Sequence, residues 1–197
     1  MAFLLNEEFV PPRDGDEEIS QLMAQLRTGR LSDRQPALER LIELRAEAAF
    51  TGVLGDADAL TVQLATAGLW ECWLNEKGAE ARTRMDRGIE QMNDGGLTAA
   101  ADIFHALMND FPDWAEAINK QATLLYITGQ PSASLELCRK VVALKPHHFG
   151  AWNGMALCAV QLEDWPTALR AAQEALNIQP GAKGNLEIIR MARGRIC

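Results

Sequence analysis

The chain has 197 residues, 48% of them hydrophobic, and a formal net charge of −8. That apolar share suffices for a buried core in one elongated domain or two small ones, and no apolar run approaches the roughly 18 residues of a membrane helix. The net charge lies entirely in residues 1–80, which hold 15 acidic and 7 basic side chains against 12 of each in residues 81–197; a phosphate backbone needs accumulated Lys and Arg, so nucleic acid is argued against as the main partner.

In chain order, residues 1–15 read as an extended acidic arm carrying Pro11-Pro12 and Gly15. Phe3, Leu4, Leu5 and Phe9 are more large apolar side chains than a solvated tail needs, and they form an alternative anchor onto a partner. Met1 to Leu5 is too short for a secretory signal and is followed by Asn6-Glu7-Glu8. The expectation is a soluble intracellular protein, cytoplasmic, or in an organelle interior (chloroplast stroma or mitochondrial matrix) if a transit peptide was removed.

Residues 16–80 form an N-terminal helical region. A first helix is predicted over Asp16 to Arg27, with Ile19, Leu22, Met23 and Leu26 at helical spacing, and Thr28-Gly29 breaks it. Ser32 or Asp33 can cap a second helix running to about Ala48, and a third runs from about Asp58 to Asn75. Trp70 and Trp73, three residues apart, share a face of that helix. They are expected to cover the open apolar end of the segment that follows, the competing reading being an exposed interaction hot spot.

From Ala81 onward the sequence repeats every 34 residues, as Ala81 to Trp114, Ala115 to His148 and Phe149 to Ala182. Small residues recur at the eighth place (Gly88, Ala122, Ala156) and at the twentieth (Ala100, Ser134, Ala168), where two antiparallel helices must approach closely. Large apolar residues, among them Phe104, Leu107, Ile118, Leu125, Val141, Trp152 and Met155, form the layer between hairpins. Pro112, Pro146 and Pro180 each close a second helix.

These residues resemble the tetratricopeptide repeat family, whose unit is a 34-residue helix–turn–helix. The third copy fits best, with Trp152, Ala156, Ala168, Ala175 and Pro180 of the preferred types. The second departs at Gln121 and Cys138 and the first at Arg84. The resemblance implies an all-α fold, a right-handed α-solenoid of helical hairpins spanning 81–114, 115–148 and 149–182. Extra N-terminal helices precede it, and a C-terminal capping helix over 183–197 presents Leu186, Ile189 and Ala192 on one face. A weaker resemblance, through Asn75-Glu76-Lys77-Gly78 and Pro146-His147-His148-Phe149-Gly150, is to short tetratricopeptide proteins of bacteria and of plant and algal organelles.

In that family the second, fifth, ninth, twelfth and thirteenth places of each first helix line the concave side. Here this predicts a partner-binding groove that includes Arg82, Met85, Ile89, Met92, Asn119, Thr123, Tyr126, Asn153, Leu157 and Gln161, with Asn119 and Asn153 stacked one repeat apart to hold a peptide backbone. Members that hold the acidic tails of Hsp70 and Hsp90 carry Lys, Asn and Arg where this chain has Met85, Ile89, Lys120, Gly150 and Gly154, which argues against that partner. His147-His148 reads as a surface turn. Cys72, Cys138 and Cys158 read as free buried thiols. No catalytic constellation, metal site or cofactor motif is present. The function implied is a non-catalytic protein-interaction adaptor, the alternative being a structural subunit or assembly factor of a larger multiprotein complex.

Overall fold

Every glycine or proline that punctuates the repeats marks a helix boundary in the computed structural model, which describes residues 14–196. Eleven helices and no strand occur among these residues. The N-terminal part contains α1 (Asp14–Thr28), α2 (Leu31–Glu43), α3 (Glu47–Thr51) and α4 (Ala59–Leu74). The array follows as three antiparallel hairpins: α5 (Ala79–Asn93) with α6 (Leu97–Asp110), α7 (Ala115–Ile127) with α8 (Pro131–Leu144), and α9 (Phe149–Gln161) with α10 (Trp165–Ile178). A last helix, α11 (Lys183–Ile196), packs on α10 and α9.

The second helices α6, α8 and α10 stop at Asp110, Leu144 and Ile178, each two residues before a proline, whose missing N–H and fixed ring prevent continuation. Within each hairpin the small residues permit contact. A Cβ on Gly88 would stand 2.5 Å from the Phe104 ring, so nothing larger fits there without moving a fully buried phenylalanine. At the equivalent crossing of α7 and α8, the Ser134 hydroxyl donates to the Ala122 carbonyl at 2.7 Å, satisfying a buried polar group with the partner helix's backbone.

The second predicted helix does not reach Ala48. It ends at Glu43, the chain reverses through Arg45 in the left-handed region (φ 52°), and the short α3 follows. Its cap differs as well: Arg30 occupies the N-cap without a side-chain bond, whereas Ser32 bonds only to its neighbour Asp33. Asp58 does cap α4, accepting from the backbone N–H groups of Leu60 and Thr61. The arm residues Phe3, Leu4, Leu5 and Phe9 lie outside the described residues, as does Cys197.

Helix α4 lies along the row of turns that join the repeats. At its middle Thr66 accepts a hydrogen bond from Gln179 in the turn after α10. One turn further on Trp70 meets Phe149 edge-on. Towards its end the Trp73 carbonyl accepts from the Trp114 indole at 2.8 Å. Phe149 therefore belongs to the same core as Leu26, Leu41, Phe50 and Leu69 of the N-terminal helices. Trp73 is buried, as expected, whereas Trp70 is half-buried; both bridge the turns and do not cover the free end of the first hairpin. A tryptophan buries about 150 to 250 Å², and the aromatic turn residues Trp114 and Phe149 supply the matching apolar surface.

Candidate protein-interaction site

Of the second places of the first helices, predicted to face a partner, those of α5 and α9 instead meet this chain's own α4, and that of α7 is buried. Arg82 pairs with Glu71 at 2.6 Å and with Asp86. Gly150 lies under Trp70 so closely that a Cβ would stand 2.6 Å from the ring. Glu116 is completely buried and accepts from the His148 Nε2–H at 2.9 Å and from the Asn119 amide at 3.2 Å, while its other oxygen pairs with Lys120 at 2.9 Å. Burial pushes the Glu116 carboxyl up, but the His148 hydrogen bond and the Lys120 charge outweigh this and hold it below its ordinary value.

His148 is no surface turn. It has no exposed surface and stacks on Trp73 with ring centroids 4.2 Å apart. Its Nδ1 accepts the Ala151 N–H at the start of α9, so Nε2 carries the hydrogen and donates it in a hydrogen bond to Glu116. Sequence reading missed this because the partners lie 75 and 32 residues away; Glu116 and Lys120 at i,i+4 were the one local sign of a built ion pair. A second cluster locks the same junction: Lys145 bonds both oxygens of Glu47 at 3.0 Å and pairs with Glu76 at 3.2 Å, and the Trp73 indole donates to Glu47.

Two of the predicted groove residues are consequently withdrawn from the surface. Met85 is fully buried among Ala81, Phe104, Leu107 and Trp114, with Leu74 from the last turn of α4 packed against the same cluster. Asn119 is 6% exposed, with its amide nitrogen spent on Glu116. Asn153 accepts from Asn185 of α11 at 2.7 Å, so the two asparagines do not form a matched pair. Ile89, Met92 and Tyr126 are half-buried, whereas Thr123, Leu157 and Gln161 are exposed.

The open part of the concave side runs along α7, α9 and α11. A cavity of about 270 Å³ is bounded by Trp70, Lys120, Thr123, Tyr126, Cys138 and Asn153. It shares Asn153 and Leu157 with a second cavity of about 440 Å³, whose far wall is Lys183, Glu187, Ile188 and Met191 of α11. Helix α11 stays in phase with the repeats: Lys183 falls 34 residues after Phe149, and Met191 stands where Leu157 and Thr123 stand in the preceding helices. Adding one more period to Leu157 would have found Met191 from the sequence. At the eighth place, however, α11 carries the exposed Arg190 where the hairpins have Gly or Ala. A long charged side chain at that place does not offer the close crossing that the small residues give the hairpins. Leu186, expected on the packed face of α11, is 43% exposed, and Asn185 is buried in its place.

This architecture has counterparts among solved structures. The first TPR domain of Spaghetti, bound to an HSP90 peptide, superposes with a TM-score of 0.56 at 15% identity, covering 58% of this chain and 90% of that one. The Sgt2 TPR domain from Aspergillus fumigatus gives 0.56 at 15% identity over 59% and 79%, and the MamA protein gives 0.55 at 14% identity over 91% and 83%. The fold is the tetratricopeptide repeat. In sequence, the chain is similar to a TPR repeat-containing protein of Rhizobium etli, 30% identical over 106 residues. That match takes in 54% of this chain, and the chain spans about half the length of this relative. No protein-family model matches the sequence. None of the helices described is long and apolar enough to cross a membrane.

Proposed function

We propose that the chain is a non-catalytic protein-interaction adaptor whose concave groove receives a segment of a partner protein, the contact being centred on α9 and α11. The observation that carries this is the pair Leu157 and Met191, 42% and 47% exposed at the same place of α9 and α11, one period apart, and facing one cavity. Fully burying such a side chain gains about 1.5 to 3 kcal/mol, so a partner that covers both gains several kcal/mol before its own ordering cost. The Asn153–Asn185 amide pair beside them, with Thr123 and Tyr126 further along, offers polar contacts that orient a peptide backbone. Contacts at the first hairpin are reduced, because α4 covers Arg82 and Met85 lies in the core.

The test starts from a partner recovered with the full chain from its native source and then purified. Leu157→Glu combined with Met191→Glu is expected to weaken that complex at least about 30-fold, a loss of roughly 2 kcal/mol, with helicity unchanged. Full binding by this variant refutes the groove. If deletion of residues 1–13 abolishes the complex while the groove variant binds normally, the chain is instead a structural subunit or assembly factor held by its arm and outer surfaces.

A further inference from the structure

Two cysteines pack into one cluster between the second and third repeats, Cys138 at the wall of the groove cavity and Cys158 buried behind it. Cys138 on α8 and Cys158 on α9 belong to one buried cluster. Cys138 lies one helical turn beyond Ser134, on the same face, and Cys158 one turn beyond Gly154. Gly154 makes the approach possible: a Cβ there would stand 2.9 Å from the Cys138 sulfur, which occupies the vacated space. The Cys158 sulfur is 3.2 Å from the Ser134 hydroxyl, and that hydroxyl's only proton is directed at the Ala122 carbonyl, 2.7 Å away. Cys158 is therefore the donor to Ser134. A hydrogen bond shared with Cys158, together with burial, raises the Cys138 thiol; the same bond lowers Cys158, the more acidic of the two. The Cys158 proton is thus directed at Ser134, and the Ser134 proton at the Ala122 carbonyl.

Cys138 and Ser134 also form part of the wall of the 270 Å³ cavity, which has room for a solute of about water size, ~30 Å³. We propose that Cys138 and Cys158 form a redox-active dithiol that a small hydroperoxide entering from the groove converts to a disulfide joining α8 to α9. The Cys158 thiolate sulfur attacks the near peroxide oxygen and the O–O bond breaks. The leaving oxygen takes the proton that Cys158 gave up and departs as water, or as the alcohol from an alkyl hydroperoxide, leaving a sulfenic acid. The Cys138 sulfur then attacks the sulfenic sulfur, the S–O bond breaks, and the hydroxyl leaves as water with the Cys138 proton. Two thiols lose two electrons in total, and the peroxide gains them. Because a disulfide brings its sulfurs to about 2.05 Å, the second repeat becomes pinned to the third at the wall of the groove.

The full-length Cys197→Ser chain, treated with hydrogen peroxide, is the test. The expected product is lighter by two hydrogens, links the peptides that carry Cys138 and Cys158, and reverts with dithiothreitol. In Cys138→Ser the reaction is expected to halt at a Cys158 sulfenic acid that dimedone traps. Gly154→Ala keeps both thiols but pushes the Cys138 sulfur away, and should slow the linkage about tenfold, with circular dichroism confirming the fold. Conversion of Cys158 to sulfinic acid without linkage, or an unmodified pair after surface methionines have oxidised, overturns the proposal. So does a Gly154→Ala chain that links as fast as the parent.

Discussion

Trp73 is the side chain on which the joint between the N-terminal helices and the TPR array most depends, and Trp73→Ala measures that dependence. The residue is 1% exposed, stacks on His148 with rings 4.2 Å apart, and meets Trp70 edge-on at 5.1 Å. Its indole donates to Glu47 at 2.9 Å. Truncating a buried Trp to Ala costs about 3 to 5 kcal/mol in transfer and cavity terms. The indole hydrogen bond adds little, because Glu47 is one-third exposed and keeps Lys145. A total near 4 kcal/mol lowers Tm by about 8 to 16 °C in a chain of this size. The assay is thermal and guanidinium unfolding followed by far-ultraviolet circular dichroism. Trp73→Phe keeps a ring to stack on His148 but loses the donor and part of the indole's volume, so it should recover about half of the deficit. A loss below about 1 kcal/mol in Trp73→Ala would show that α4 is not coupled to the repeats through this residue.

Gly88→Val should cost about 2 kcal/mol or more, because the added carbons meet the immobile Phe104 ring 2.5 Å away; unchanged melting would mean that α5 and α6 do not cross there. Acid should act at the Asp58 cap: hydrogen bonds from Thr61 and Arg34 hold this carboxylate down to about 2. Its stabilisation is complete above the ordinary carboxyl value near 3.8 and disappears as pH falls through 2. Asp58→Asn, which caps without titrating, should flatten that part of the stability–pH curve, and an identical curve would show that the cap charge does no stabilising. Cys72 is pushed up to about 12 by burial, and Cys138 and Cys158 are equally enclosed. All three should resist bulky aromatic disulfide reagents until denaturant is added; rapid labelling of the folded chain would contradict the burial.

The array was legible in the sequence because its constraints are local and recur. Gly88, Ala122 and Ala156 answer Ala100, Ser134 and Ala168 across each crossing, and a proline follows each second helix, so period and phase are fixed by steric need alone. The site was less legible, since exposure at a repeat position depends on what else the chain lays over it. Met85 and Asn119 occupy groove places, yet Leu74, Trp114 and the buried Glu116 enclose them. His148 reads as loop from its neighbours Pro146 and His147; its burial is decided by Trp73, contributed by a non-repeating helix. Nor does any local signal announce Arg45 in a left-handed conformation, which divides the predicted second helix in two.

The groove is tested most directly by placing a photoreactive benzophenone amino acid at Leu157, with a second version carrying it at the exposed Arg170 on α10. Irradiating each full chain with the purified partner should cross-link a defined partner segment at position 157, at a yield that falls when an excess of unlabelled chain is added. The Arg170 version should yield little. Efficient cross-linking from position 170 with none from 157 would place the partner on the outer face and contradict a groove-binding adaptor.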